Sequence, residues 1–181
     1  MIQITDVNSL ETLLRTMLIT QSELQANFVR NAMSLYGTDL DSKETSDIFA
    51  ALDQTSEVLI LFSLESRDSD ADMSESSESL DEHIDYYKSF TCKIIIYGAQ
   101  STNTAMKLSS RIRTQNVRTS LQQHGVYVES VSNLNRVQEF KNNVIWLRTD
   151  FDIDIRVQFK VLPVTTDSSF LVSNLLNIKN I

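Results

Sequence analysis

Three aspartates, Asp150, Asp152 and Asp154, come closest in type and spacing to a chemical site. Carboxylates at i, i+2 and i+4 offer the hard oxygen ligands that calcium and magnesium take. The spacing argues against one ion, because on a strand alternate side chains share a face yet stand about 6.6 Å apart at each step. A D-x-D-x-D calcium loop also wants a glycine after its third acid, and here Ile155 and Arg156 follow. No metal is therefore expected. Cross-strand partners such as Lys88, Lys93 or a nearby arginine, or a plain acidic sheet face, account for the row better.

The other chemistry-bearing residues are few. His83 and His124 are the only histidines, and no serine sits in a nucleophile elbow. His83 opens a strand beside acids and reads as exposed. His124 falls in the last turn of a helix, where a cation complements the dipole. Cys92 is the only cysteine and lies in a strand pattern, where it reads as a small buried hydrophobe. With three glycines in the chain, a glycine-rich phosphate loop is nearly impossible. No catalytic residue and no cofactor is expected. The basic residues Lys107, Arg111, Arg113 and Arg118 share one helical segment, where solvation of a surface helix outweighs nucleic-acid contact as an explanation.

The elements that position these residues are organised around 144–161, VIWLRTDFDIDIRVQFKV. From Phe151 to Val161 the alternation is unbroken, with Phe151, Ile153, Ile155, Val157, Phe159 and Val161 on one face. The aspartates, Arg156, Gln158 and Lys160 take the other. Period 2 over that length marks a strand with one buried and one wet face. A second long strand runs from His83 to Tyr97, with Ile84, Tyr86, Phe90, Cys92, Ile94 and Ile96 together and Lys88 as the interruption. Glu57 to Ser63 is a buried strand, and Val126 to Val131 a short one.

The helical pattern begins with Asp6 or Ser9 as N-cap. Leu10, Leu13, Leu14, Met17 and Leu18 follow it, and Leu24, Phe28, Ala32, Met33 and Leu35 resume it up to Gly37. The spacing predicts one long helix, or two short ones, over 9–36. After Gly98 a helix capped by Ser101 or Thr102 carries Ala105, Leu108, Ile112 and Leu121 and stops at His124–Gly125. Ser132 to Lys141 reads as a connection anchored by Leu134, Val137 and Phe140. The predicted fold is α+β: an antiparallel sheet of about four strands, two of them very long, with helices packed on one face. One domain spans 1–163, and 164–181 forms a C-terminal extension whose form the sequence leaves open.

Composition places limits on function. The chain has 181 residues, 41% hydrophobic and 22% charged, ordinary for a folded protein. No apolar run is long enough to span a membrane, the first residues lack a signal-peptide pattern, and one cysteine excludes an internal disulfide. Of the net charge of −8, residues 65–82 hold −7, leaving about −1 for the rest. That serine-rich acidic stretch reads as a mobile loop. A nearly neutral body with one acidic loop is a poor binder of phosphate backbones.

The segment from Tyr86 to Leu162 resembles the tail terminator and neck proteins of tailed bacteriophages. The resemblance rests on the strand Ile94-Ile95-Ile96-Tyr97 ending at Gly98. It continues in the helix with Ala105 and Leu108, through Arg111-Ile112-Arg113 and Val117-Arg118 to Leu121 and Gly125. It closes with Trp146-Leu147-Arg148 leading into alternating Asp and Ile. It implies a structural virion protein and no enzyme. Such a protein forms a homo-oligomeric ring, usually hexameric, at the head–tail junction. There it terminates the tail or joins it to the connector, after assembly in the host cytoplasm. Its partners are copies of itself and neighbouring neck, connector and tail proteins, with DNA passing through unbound and no membrane. An acidic lumen suits that passage, because it repels phosphate. Asp150, Asp152 and Asp154, or the 65–82 loop, are candidates for that surface. Arg111, Arg113, Arg118, Phe170 and Leu171 are candidates for subunit contacts.

Two other classes compete. A cytosolic adaptor would use the acidic loop to bind a basic protein, and would lose that partner if 66–81 were deleted. An enzyme or regulatory domain would need a concave pocket with convergent polar groups, to which no residues in the sequence point.

Overall fold

The computed structural model describes residues 4–32, 58–67, 84–141 and 144–161. Its first helix, α1 (Val7–Ser22), starts where Asp6 accepts a 2.7 Å hydrogen bond from the Ser9 amide and Ser9 Oγ answers the Asp6 amide. This reciprocal cap satisfies amides that the first turn leaves without partners. Leu10, Leu13, Leu14, Met17 and Leu18 are buried along one stripe, as their spacing predicts. The helix does not continue to 36. Glu23 turns left-handed (φ 62°), and a short 3₁₀ turn at Ala26–Phe28 feeds a strand, β1 (Val29–Asn31). The helix end expected at Gly37 lies outside the described residues.

Five further strands follow: β2 (Leu59–Ser66), β3 (Ile84–Tyr97), β4 (Val126–Val131), β5 (Asn135–Lys141) and β6 (Val144–Val161). β6 spans about 59 Å at ~3.3 Å per residue. One edge of it pairs with β3 from Arg148 to Val161. Its other edge takes β5 along 144–150 and then β4 along 153–157. β2 extends the sheet beyond β3, and β1 closes that side.

The sheet thus has six strands and is mixed, where about four antiparallel strands were predicted. β1 runs parallel to β2. The intervening 33–57 is long enough for the crossover that parallel neighbours need, and a three-residue strand carries no period to read. β5 arises where a connection was expected, because its seven residues complete a hairpin with the first part of β6.

The helix over 101–124 is also two: α2 (Ser101–Ile112) and α3 (Gln115–Gln122), separated at Arg113–Thr114. α2 packs on β3 and β6, α1 packs on α2 and β1, and α3 packs on β4. One apolar core joins these helices to a single face of the sheet, through Phe62, Ile94, Ile96, Phe151, Ile153, Ile155, Val157 and Phe159. Each fully buried side chain of this kind contributes about 1.5–3 kcal/mol by leaving water. Near the start of α2 the core turns polar. There Thr149, fully buried, meets Thr102 Oγ1 at 3.1 Å and donates toward Ser101 Oγ at 3.4 Å.

Candidate functional site

The alternation along β6 puts Asp150, Asp152 and Asp154 together on the face away from the helices, and the pairing register gives each its surroundings. Asp150 stands across from Ile95, Asp152 from Lys93, and Asp154 from Thr91. Asp154 accepts from Thr91 Oγ1 (2.9 Å) and Ser130 Oγ (2.7 Å), and Arg67 lies 3.4 Å away. The Ser130 bond, then those of Thr91 and the charge of Arg67, hold its carboxyl below the ordinary value.

Asp152 behaves oppositely. Burial raises its carboxyl, the neighbouring Asp154, Asp150 and Glu65 push the same way, and Lys93 opposes them. Lys93 itself bonds Glu65 at 2.8 Å, so its charge is shared between two acids. Asp150 is taken by Arg148, whose Nε reaches both carboxylate oxygens (2.8 and 3.0 Å) and whose Nη2 reaches one at 2.6 Å. The second amino group of Arg148 donates to Glu139 Oε2 (3.0 Å), which also accepts from the Tyr97 hydroxyl (2.8 Å). The guanidinium lies 5.9 Å from the Tyr97 ring centre.

These groups border a cleft of about 360 Å³ between β3, β6 and the β4–β5 connection, lined by Lys93, Ser132, Asn133, Asn135, Asp150 and Asp152 among others. Ser132 closes one wall by accepting from the Asp152 amide (2.8 Å). Among the described residues no three of His, Cys, Asp and Glu gather to hold a metal ion. The arrangement is one of matched charges. Each aspartate faces or touches a cation, which makes the polar face a fixed lattice of ion pairs and hydroxyl bonds.

Two arginines of the helical segment, Arg111 and Arg113, are engaged at home. Arg111 donates to the Gln21 carbonyl and to Glu23 Oε1, both at 2.6 Å, which ties α2 to the end of α1. Arg113 donates to the carbonyls of Val131 (2.8 Å) and Ser132 (3.1 Å), holding the α2–α3 break over the end of β4. Arg118 is half-buried, with its Nε enclosed and unbonded. Phe170 and Leu171 lie outside the described residues, as do His83 and most of the acidic stretch.

Sequence reasoning missed Glu139, Thr91, Ser130 and the bond of Tyr97, whose roles come from cross-strand register, and the same-strand grip of Arg148 on Asp150. It also missed an apolar face. Phe140, expected as an anchor, is 70% exposed, and Ile145 (63%) and Leu147 (47%) lie on the same side of the β5–β6 hairpin. They continue the core-facing register of β6 past Thr149. Among the described residues no helix is long and apolar enough to cross a membrane.

A sequence-family model described as phage neck terminator protein matches residues 8–180. No curated protein matches the sequence.

Proposed function

The chain belongs to the phage neck terminator family, a family of structural proteins, and on that premise we propose that it is a ring subunit at the head–tail junction of a virion. In this reading several copies, six in the simplest case, close around the DNA path. They end the tail or couple it to the connector, in contact with neighbouring neck and tail proteins. DNA passes without specific binding, and the subunit carries out no reaction. The single observation that carries the reading is the family match, which runs along nearly the whole chain.

The fold supplies what such a part needs. A β6 of eighteen residues with partner strands on both edges is a long scaffold, which supports a structural role. Asp150, Asp152 and Asp154 are the proposed lumen residues, since they share one face and repeat with the ring. Lys93, Arg67 and Arg148 offset much of their charge, so residues 65–82, with their net −7, carry the larger part of the repulsion from phosphate.

The test is antibody labelling of purified virions, read by negative-stain microscopy. Gold at the head–tail junction is the expected result. Intact virions that lack the chain by mass spectrometry would overturn the proposal.

A further inference from the structure

The exposed apolar face of the β5–β6 hairpin needs an occupant. Phe140, Ile145 and Leu147 stand side by side beyond the described helices, and an exposed apolar group of this kind on one face of a hairpin is a candidate contact surface. The hairpin also offers backbone. β5 pairs with β6 alone, so among the described residues no strand occupies its outer edge, and such an edge accepts an added strand.

The chain's own C-terminal segment is apolar enough to fill the site, with Phe170, Leu171, Leu175, Leu176 and Ile178. For Phe170 and Leu171 it leaves the fold at the wrong end to do so in its own subunit. β6 runs from Val144 at the hairpin to Val161, so Leu147 lies fourteen residues, or about 46 Å, from the point of departure. Phe170 and Leu171 follow Val161 by nine and ten residues, a reach of at most about 32–36 Å when fully extended. The same segment in an adjacent copy has no such restriction.

We infer that residues 164–181 of one copy dock on the β5–β6 hairpin of the next, with Phe170 and Leu171 against Phe140, Ile145 and Leu147. The inference rests on the ring reading. The contact joins two different surfaces of identical subunits, which is the head-to-tail arrangement that closes into rings. An arm laid along the open edge of β5 gains main-chain hydrogen bonds in addition to the apolar contact.

The experiment places the photo-crosslinker p-benzoylphenylalanine at position 140 of the full chain in phage particles, with position 138 on the same hairpin face as the second site. Particles are built from a mixture of isotopically light and heavy copies, irradiated, and mapped by mass spectrometry. Light–heavy links from position 140 or 138 to residues 164–178 are expected. Phe170→Asp with Leu171→Asp should abolish them. Links confined to one copy, whether to 33–57 or to its own C-terminal segment, would overturn the inference, as would links to a different virion protein or none. In each of those cases the chain is still in the particle, so its placement in the virion is untouched and the docking inference fails alone. A chain absent from the particles removes both.

Discussion

Arg148 grips Asp150, two residues further along the same strand, through three N–H···O contacts of 2.6 to 3.0 Å, and reaches across the hairpin to Glu139 with its remaining amino group. All three side chains are partly buried. Arg148→Ala leaves two carboxylates and the Tyr97 hydroxyl without their common cation. The expected cost is about 1–3 kcal/mol in urea unfolding, the price of unsatisfied polar groups. Arg148→Lys should recover only part of it, because an ammonium cannot form the two-pronged bond. A loss below about 0.5 kcal/mol for the alanine variant would mean that the carboxylates re-solvate freely.

Asp152 and Asp154 are adjacent on one face yet should respond oppositely to neutralisation. Asp154, held below its ordinary value by Ser130, Thr91 and Arg67, adds stability at neutral pH. That contribution lasts while pH exceeds the unfolded carboxylate value, and fades as pH falls through the lower folded one. Asp154→Asn should therefore lower the urea midpoint at pH 7, by about 1–2 kcal/mol in stability for two hydroxyl bonds weakened. Asp152, raised by burial, is more costly as an anion than as an acid. Asp152→Asn should leave the midpoint unchanged or raise it at pH 7. Equal losses from both variants would refute the asymmetry.

The alternation of β6 made its faces legible from the sequence, down to the aspartates and the core residues opposite them. Register was not legible, because which residue of β3 or β4 stands beside Asp154 depends on pairings across large sequence separations. That is why Thr91, Ser130 and Tyr97 escaped notice. The break between α2 and α3 had left a trace. Ile112 and Leu121 are nine residues apart, and nine residues at 100° each put them on opposite sides of a continuous helix. Both are buried, so a continuous helix was never compatible with them. β1 gave no signal at three residues. β5 gave a misleading one, because apolar Phe140 faces water.

Tyr97 is enclosed by the sheet's second, smaller apolar cluster and donates to Glu139, and burial first and that bond second push its phenol up to about 12. The neutral phenol is the form that the fold favours. Its contribution is therefore fully present below the unfolded tyrosine value near 10, and is lost as pH rises toward 12. The ultraviolet titration of the wild type minus that of Tyr97→Phe should show one step near pH 12. A step near 10 would show the hydroxyl open to solvent.

Cys92 lies on the core face of β3, fully enclosed, and its thiol is pushed up to about 12 by burial, with smaller contributions from the charges of Asp152 and Glu11. The thiolate is the reactive form, so native protein at pH 8 should resist an aromatic disulfide reagent. Modification should then proceed at the rate of opening, and its dependence on urea should follow global unfolding. Rapid labelling in the absence of denaturant would show that the β2–β3–β6 core opens locally.

Gly125 links α3 to β4 at φ +77°, and its carbonyl accepts from the Gln158 amide at 2.8 Å. Two independent restrictions meet there. A left-handed conformation costs a residue with a Cβ about 1–2 kcal/mol. The Cβ itself would lie 3.2 Å from the Gln158 carbonyl oxygen and 3.3 Å from its Cβ, on the central strand, which has neighbours on both edges. Gly125→Ala should therefore lose more than the conformational term alone, and Gly125→Asn, which tolerates the left-handed region better, should isolate the packing term. Thermal unfolding of the two variants separates the contributions. Equal, small losses would mean that β6 shifts to make room, whereas a substantial loss retained in the asparagine variant would establish that the strand is held fast at Gln158.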